Sequence, residues 1–452
     1  MVIISLKNFI DSNYTQNLFT ISQIQTFTIG VLLQNISKSL NGNNNNKKTN
    51  QKIISNNNNK EFWEKEIKLN NTVKNLANTS IDFNNLLAND LNVLLTGTSG
   101  YLGVYLLSNL LKRSNCSKIY CLVRNKKSNN EALETIINNL KYHRLYEQIT
   151  ANEFKKIEII LGDISIQQFG LQDGQYNNIA SNINLIINCG ANTNLISPYS
   201  ECKPINVAST YEMLKFANHN EKLIKPIVHI SSFSIFTNIQ REEFEDSFIP
   251  SVDQIEQSEN GYGQSKIVSE YLVREASNRG IPSIVLRLPF IFANPYTGIG
   301  NKNDFVQLFI QQCYKFKIYP DQFINLTNLA PITWISDNVC KILLNANCWE
   351  NNSSKSYNLI SDTFKISDVL EQLSKEFNLQ KLDYNDWKSR LIESKNESCN
   401  KILILDPHKS LFTSNLKATR STIKLLESMN SNYNDSFVTI NMIKKHIDFH
   451  FK

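Results

Sequence analysis

The chain has 452 residues, 41% of them hydrophobic and 19% charged, which is enough apolar material for a substantial core and excludes a peptide or a wholly disordered tail. Its net charge of +6 comes from scattered lysines and not from a basic block, so no nucleic-acid partner is expected. Eight cysteines without a C-x-x-C pair, and no histidine cluster at ligand spacing, predict no metal site and reduced, mostly buried thiols in a cytoplasmic protein.

The first residues, Met1 to Asn13, lack the basic region of a signal peptide, and no uncharged apolar stretch of about 18 residues follows, so no membrane span is expected. Residues 1–39 carry apolar side chains at helical spacing (Leu6, Phe9 and Ile10, later Ile24, Phe27, Leu32 and Ile36), which predicts a short N-terminal helical appendage. Residues 40–60 turn to Asn, Lys and Ser, with asparagine runs at 43–46 and 56–59. Such a stretch has too little apolar surface to offset its chain entropy and reads as a linker. From 61 to 293, apolar strands at 91–95, 119–123, 157–161, 185–189, 227–231 and 283–288 alternate with helix-length segments. This pattern predicts an α/β fold, a doubly wound parallel Rossmann sheet. After residue 294 the alternation loosens, and 294–452 reads as a smaller C-terminal substrate lobe with helices.

The first strand runs into Thr96-Gly97-Thr98-Ser99-Gly100-Tyr101-Leu102-Gly103, three glycines at G-x-x-G-x-x-G spacing ahead of an apolar helix. Gly97 permits the tight turn, Gly100 lets backbone approach a pyrophosphate, and Gly103 lets the helix pack close to the sheet, which marks a dinucleotide site. The second strand ends on Arg124 with Lys126 and Lys127 nearby, where an NAD enzyme usually has an acidic residue. An arginine there clasps a 2′-phosphate, favouring NADPH, unless it is a solvated surface side chain. Asp163, followed by Ile164, either accepts a hydrogen bond from the adenine amino group or caps a local turn. Gly190 and Ala191 leave room for the cofactor over the sheet edge, or serve packing.

Further on, Tyr262 and Lys266 stand four residues apart at the start of a helical segment and so share one face. The ammonium is expected to lower the phenol's pKa, making Tyr262 the proton donor, while Lys266 also holds the nicotinamide ribose. Ser232 ends the fifth strand at the edge where ligands bind in such sheets, and its hydroxyl is placed to orient a substrate carbonyl. No Gly-x-Ser-x-Gly elbow is present, which argues against a hydrolase.

Together the glycine turn, Cys121 to Arg124, Gly162 to Ser165, Ile205-Asn206-Val207, His229 to Ser232, Tyr262 to Lys266, Glu270, Arg279 to Pro282 and Leu286-Arg287-Leu288-Pro289 resemble the thioester reductase domains that end some polyketide synthases, peptide synthetases and carboxylic acid reductases. Fatty acyl-CoA reductases of the male-sterility type are similar. The resemblance covers roughly residues 91–378, including Thr297-Gly298, Asn301, Asp304 and Asn328 to Ile332. It implies Ser232, Tyr262 and Lys266 as catalytic residues. It implies a cofactor site on Thr96 to Gly103, Arg124, Asp163, Ile164, Gly190, Ala191, Tyr262, Lys266 and Pro289. Two positions depart from the family pattern, Thr333 and the strand end Asn188-Cys189.

The head of the chain, Ser5 to Asp11 with Ile21 to Gln25, resembles the later helices of an acyl carrier domain of polyketide synthases. Since the Asp-Ser-Leu that would carry phosphopantetheine should lie upstream, residues 1–39 are expected to be a truncated carrier remnant, the alternative being a docking helix pair. The expected activity is NADPH-dependent reduction of an acyl thioester on a carrier protein or CoA to an aldehyde or alcohol. The rivals are a nucleotide-sugar epimerase or dehydratase of the same extended short-chain class and a non-catalytic dinucleotide-binding remnant.

Overall fold

The six apolar runs lie side by side because strands buried on both faces must be apolar throughout. The computed structural model describes residues 60–451, apart from 77–79, 220–222, 237–238, 240–243, 259, 323–325, 362 and 406–418. The expected helical appendage at 1–39 and nearly all of the 40–60 linker lie outside the described residues.

The sheet is built from β1 (Leu91–Thr96), β2 (Cys116–Val123), β3 (Ile157–Leu161), β4 (Leu185–Asn188), β5 (Ile227–Ser232) and β6 (Ser283–Leu288). A seventh strand, β10 (Ser354–Asn358), comes from far downstream, and the order is β10-β6-β5-β4-β1-β2-β3 with every pairing parallel. The strand order reverses between β1 and β4, and this switch point opens the crevice in which such sheets hold ligands. On the two faces lie α1 (Tyr101–Leu111), α2 (Asn129–Tyr142), α3 (Asp173–Asn182), α5 (Ser209–Ala217) and the long α6 (Gly261–Asn278), while the short α4 (Tyr199–Lys203) packs on α6. One apolar cluster joins α1, α2 and one sheet face, and a second joins α5, α6 and the other.

Residues 294–452 divide between the main sheet and a separate group of elements. The short β7 (Phe290–Phe292) pairs with β9 (Leu326–Pro331), and β9 pairs antiparallel with β11 (Thr363–Lys365), making a small second sheet. A two-stranded third sheet joins β8 (Ile318–Pro320) to β12 (Gln380–Leu382) in parallel. A third apolar cluster gathers α7 (Phe305–Phe316), α9 (Ile366–Phe377), α10 (Tyr384–Glu393), α11 (Glu397–Leu405) and α13 (Ile440–Phe451). Between these pieces the chain returns to the main sheet: α8 (Ile332–Leu343) packs on α1 through the first cluster, β10 extends the sheet, and Leu426 of α12 (Arg420–Ser428) joins the same cluster. The Rossmann layer therefore takes part of its substance from the segment read as a substrate lobe.

Candidate active site

At the end of β1 the chain turns through Gly97 at φ +77°, a left-handed conformation that glycine adopts without strain. A Cβ on Gly103 would stand 2.0 Å from the Gly97 carbonyl oxygen, so the first turn of α1 can lie this close to the strand only with glycine there. Gly100 is the N-cap of α1 and no side chain caps the helix, so its first N–H groups are left to a ligand. The turn is locked from behind: Thr96 Oγ1 accepts the N–H of Cys189 at 3.0 Å and of Gly190 at 2.9 Å, tying β1 to the end of β4. These features fit a dinucleotide's pyrophosphate.

The turn opens onto a cleft of about 580 Å³. Gly97, Ser99, Gly100, Tyr101, Leu102, Gly103, Arg124, Ile164, Gly190 and Ala191 line one part of it. Ser232, Tyr262, Lys266 and Pro289 line it as well. The side chains of Thr96 and Thr98 are buried at the turn. The Oδ1 of Asp163 accepts the N–H of Ser165 at 2.8 Å and its hydroxyl at 2.7 Å, a turn-closing contact. Of the three basic residues after β2, Arg124 faces the cleft while Lys126 pairs with Glu131 at 3.6 Å.

Tyr262 and Lys266 sit on one face of α6, both buried against the cleft floor. Asn260 caps the helix, accepting the Gly263 N–H at 2.6 Å, and this fixes where the first turn begins. Burial pushes the Tyr262 phenol up to about 12, partly opposed by a hydrogen bond with Ser232. The expected lowering by Lys266 is therefore corrected: desolvation sets the direction, and the opposing contribution is the Ser232 hydrogen bond. The Lys266 Nζ lies 5.8 Å from the Tyr262 ring centre and donates to the Ile230 carbonyl at 2.8 Å. Burial in turn brings Lys266 down to about 8. Ser232 Oγ accepts the Ser234 N–H at 3.1 Å and donates to Ser234 Oγ at 3.0 Å.

Asn194, Leu195, Phe290, Asn301, Asp304 and Phe305 line the cleft as well. Asn194, Leu195 and Phe290 were not singled out in the sequence. Their signal was positional, since they follow β4 and β6 at the carboxyl ends of the strands. Asp304 caps α7 through the Gln307 N–H at 2.9 Å, and burial raises its carboxyl to about 6.

A doubly wound parallel sheet with a glycine turn at its switch point, and a serine, tyrosine and lysine facing the same crevice, defines a nicotinamide-dinucleotide-binding α/β protein of the extended short-chain type. Residues 95–339 match the family of the male sterility protein, and the chain belongs to that family of NAD-binding domains. Residues 1–52 match the C-terminal ACP domain of the highly reducing polyketide synthase sdgA. Over 99% of its length the chain is 39% identical to "Probable polyketide synthase 9/36" of Dictyostelium discoideum, and it spans 16% of that relative. Its fold is that of the terminal R domain from the myxalamid PKS-NRPS pathway (TM-score 0.74, 24% identity, 86% of this chain and 96% of that one). The thiolation-reductase di-domain of an archaeal nonribosomal peptide synthetase is also similar (TM-score 0.66, 18% identity, 99% of this chain and 89% of that one).

Among the described residues no helix is long and apolar enough to cross a membrane, and no cluster of three His, Cys, Asp or Glu is placed to hold a metal. All eight cysteines are unpaired.

Proposed function

We propose that this chain reduces acyl thioesters with NADPH and releases the product as an aldehyde or, after a second round, an alcohol. The observation that carries the reading is that Ser232, Tyr262 and Lys266 line the same cleft as the glycine turn. The donor is an acyl group on a polyketide synthase carrier domain, with acyl-CoA as the simpler equivalent. The carrier-domain match at residues 1–52 and the polyketide synthases among the relatives support this. We read residues 1–39 as carrier-derived, 40–60 as the linker and 61–293 as the bulk of the dinucleotide unit, completed by 332–358. The reaction belongs in the cytoplasm, where eight unpaired thiols stay reduced.

The glycine turn and the N-terminus of α1 would hold the pyrophosphate, and Arg124 the 2′-phosphate. When bound, the nicotinamide supplies a hydride to the thioester carbonyl carbon. The chain's own residues do the rest. Ser232 donates a hydrogen bond to the carbonyl oxygen and fixes its direction. Tyr262, protonated at neutral pH, gives that oxygen its proton. The charged Lys266 stabilises the phenolate left behind and orients the ribose. The hemithioacetal then collapses to aldehyde and carrier thiol.

The test is to mix the protein with NADPH and an acyl-pantetheine or acyl-CoA, following NADPH absorbance and the aldehyde by mass spectrometry. Stoichiometric loss of NADPH with aldehyde is expected. Dinucleotide binding without loss of NADPH on any thioester would overturn the reading. An epimerase, which regenerates its dinucleotide, would also show no net loss.

A further inference from the structure

Behind the cleft floor lies a second polar cluster that the reaction as described does not use. Glu270 follows Tyr262 and Lys266 at the same four-residue spacing on α6, so it stands on their face of the helix one turn further in. Its Oε1 accepts the hydroxyl of Ser231, the residue beside Ser232, at 2.6 Å. Arg287 of β6 grips the same carboxylate in a fork. Its Nε donates to the two oxygens at 3.0 and 3.2 Å and its Nη2 donates to Oε2 at 2.7 Å. Both side chains are 0% exposed. Arg287 is itself held by the Phe248 carbonyl at 2.6 Å, the Asp246 carbonyl at 3.2 Å and Asn358 Oδ1 on β10 at 3.2 Å.

Stability is a poor explanation for such a pair. Desolvating two charges costs several kcal/mol each, and well-packed apolar replacements of buried ion pairs are often as stable or more so. What this pair does supply is a fixed join between the end of β5 and the catalytic helix. We propose that Glu270, locked by Arg287, is a positioning residue: through Ser231 it holds the end of β5 against α6, so that the Ser232 hydroxyl and the Tyr262 phenol meet over one point of the cleft. The inference rests on the reductase reading.

The carboxylate has a second effect. The titratable groups facing Lys266 are Tyr262 and Glu270 on α6, Cys189 after β4, Cys202 on α4 and His229 on β5. Burial keeps both thiols and the phenol protonated and the His229 imidazole neutral. Alongside Cys189, the Glu270 carboxylate gripped by Arg287 works against the desolvation that lowers Lys266.

Two variants test this, Ser231→Ala and Glu270→Gln, each first checked for folding by circular dichroism and for NADPH binding. Ser231→Ala removes the join and leaves the ion pair, so kcat should fall by about ten-fold with KM and the pH profile unchanged, the size expected for a lost orienting hydrogen bond. Glu270→Gln should lower kcat and also move the upper pH limit of activity down by about one unit or more. The pH at which Lys266 is half-acylated by acetic anhydride, read by mass spectrometry of its peptide, should shift down with it. A structural role alone would not move that midpoint, and the readout survives even if no thioester is turned over. A folded Glu270→Gln protein with the wild-type acylation midpoint, or Ser231→Ala with full kcat, would overturn the proposal. If Glu270→Gln does not fold, Ser231→Ala decides it alone.

Discussion

Tyr262 has to give up a proton, and its surroundings make it a phenol that is fully protonated at neutral pH, because burial has pushed it to about 12. The residue that titrates in the working range is Lys266, brought down to about 8 from the usual lysine value. Activity should therefore fall as pH rises through about 8, when Lys266 loses the charge that stabilises the phenolate; a flat kcat profile up to pH 9 would contradict this. Tyr262→Phe should lower kcat by about 100-fold or more with NADPH affinity intact, as measured by fluorescence titration of the bound cofactor. Arg124→Ala should weaken NADPH binding about ten-fold or more and leave NADH binding unchanged, the loss of a charge-assisted contact to a phosphate. Equal effects on both cofactors would remove Arg124 from the 2′-phosphate site. The sequence makes the spacing of Tyr262 and Lys266 legible because helical periodicity fixes which side chains share a face. It gives the opposite sign for the Tyr262 shift, since desolvation depends on what the rest of the chain packs over the phenol. Asp163 illustrates the same limit: its position after β3 is readable, but the choice of Ser165 as its partner is made by the loop's three-dimensional path.

At the scale of elements, the join between β1 and α1 is the least forgiving. Gly103→Ala would drive a methyl to 2.0 Å from the Gly97 carbonyl oxygen, and neither the strand nor the turn can give way by that much. The helix must shift off the sheet, so the variant should lose at least about 1–3 kcal/mol of stability by urea denaturation and lose NADPH binding altogether. A second join centres on Asn206, which is buried between α4 and α5. Its Oδ1 accepts the Asn192 N–H at 2.7 Å, its Nδ2 donates to the Asn192 carbonyl at 3.0 Å and to Ser265 Oγ at 2.8 Å, and its carbonyl accepts the Ser269 hydroxyl at 2.9 Å. One side chain thus ties the loop that leaves β4 beside the cleft to the catalytic helix. The inner strands β4, β5 and β6 are legible because they are buried on both faces and must be apolar, and β3, at the far edge and only half-buried, is legible from its run of isoleucines. The seventh escapes because β10, Ser-Lys-Ser-Tyr-Asn, lies at the sheet edge, where polar residues are tolerated and even favoured. The β7 strand is only three residues long and follows β6 after a single proline, so no periodicity can separate the two.

Across the whole molecule, pieces distant in sequence brace one another. Residues 69–76 are strapped to the far end of α6, with Arg279 donating to the carbonyls of Leu69, Asn70 and Val73 and its own carbonyl accepting the Leu76 N–H. Such long-range ties cannot be read from local pattern, and they make the fold one cooperative unit with a common weakness to acid. His143 stands against Tyr101 and Tyr105 beside the glycine-turn helix, His229 lies within the central sheet, and His446 of α13 bridges the Gly298 carbonyl and Gln311 at 2.8 Å each. Burial lowers all three, His143 and His446 to about 4. The Gly298 carbonyl can only accept, so Nδ1 of His446 carries the proton and Nε2 must be free to accept from the Gln311 amide, which is the neutral imidazole. An unfolded histidine titrates near 6.5, so between about pH 6.5 and 4 the unfolded chain binds more protons than the folded one and stability falls as pH falls. Fully expressed, His143 and His446 each account for a loss on the order of 3 kcal/mol. Asp304 runs the other way, because burial raises its carboxyl to about 6 and the folded state then takes up a proton before the unfolded one does. Burial also lowers His219 and His450 and raises Asp337, so five imidazoles are set against two carboxyls and the urea midpoint should drop steadily from about pH 6.5 to about pH 4. In His446→Gln, whose amide can still donate to Gly298, the drop should be shallower by up to about 1.4 kcal/mol per pH unit, the slope due to one proton. A midpoint that stays level over that range, or a variant that keeps the wild-type slope, would mean that these imidazoles do not control the acid limit of the fold.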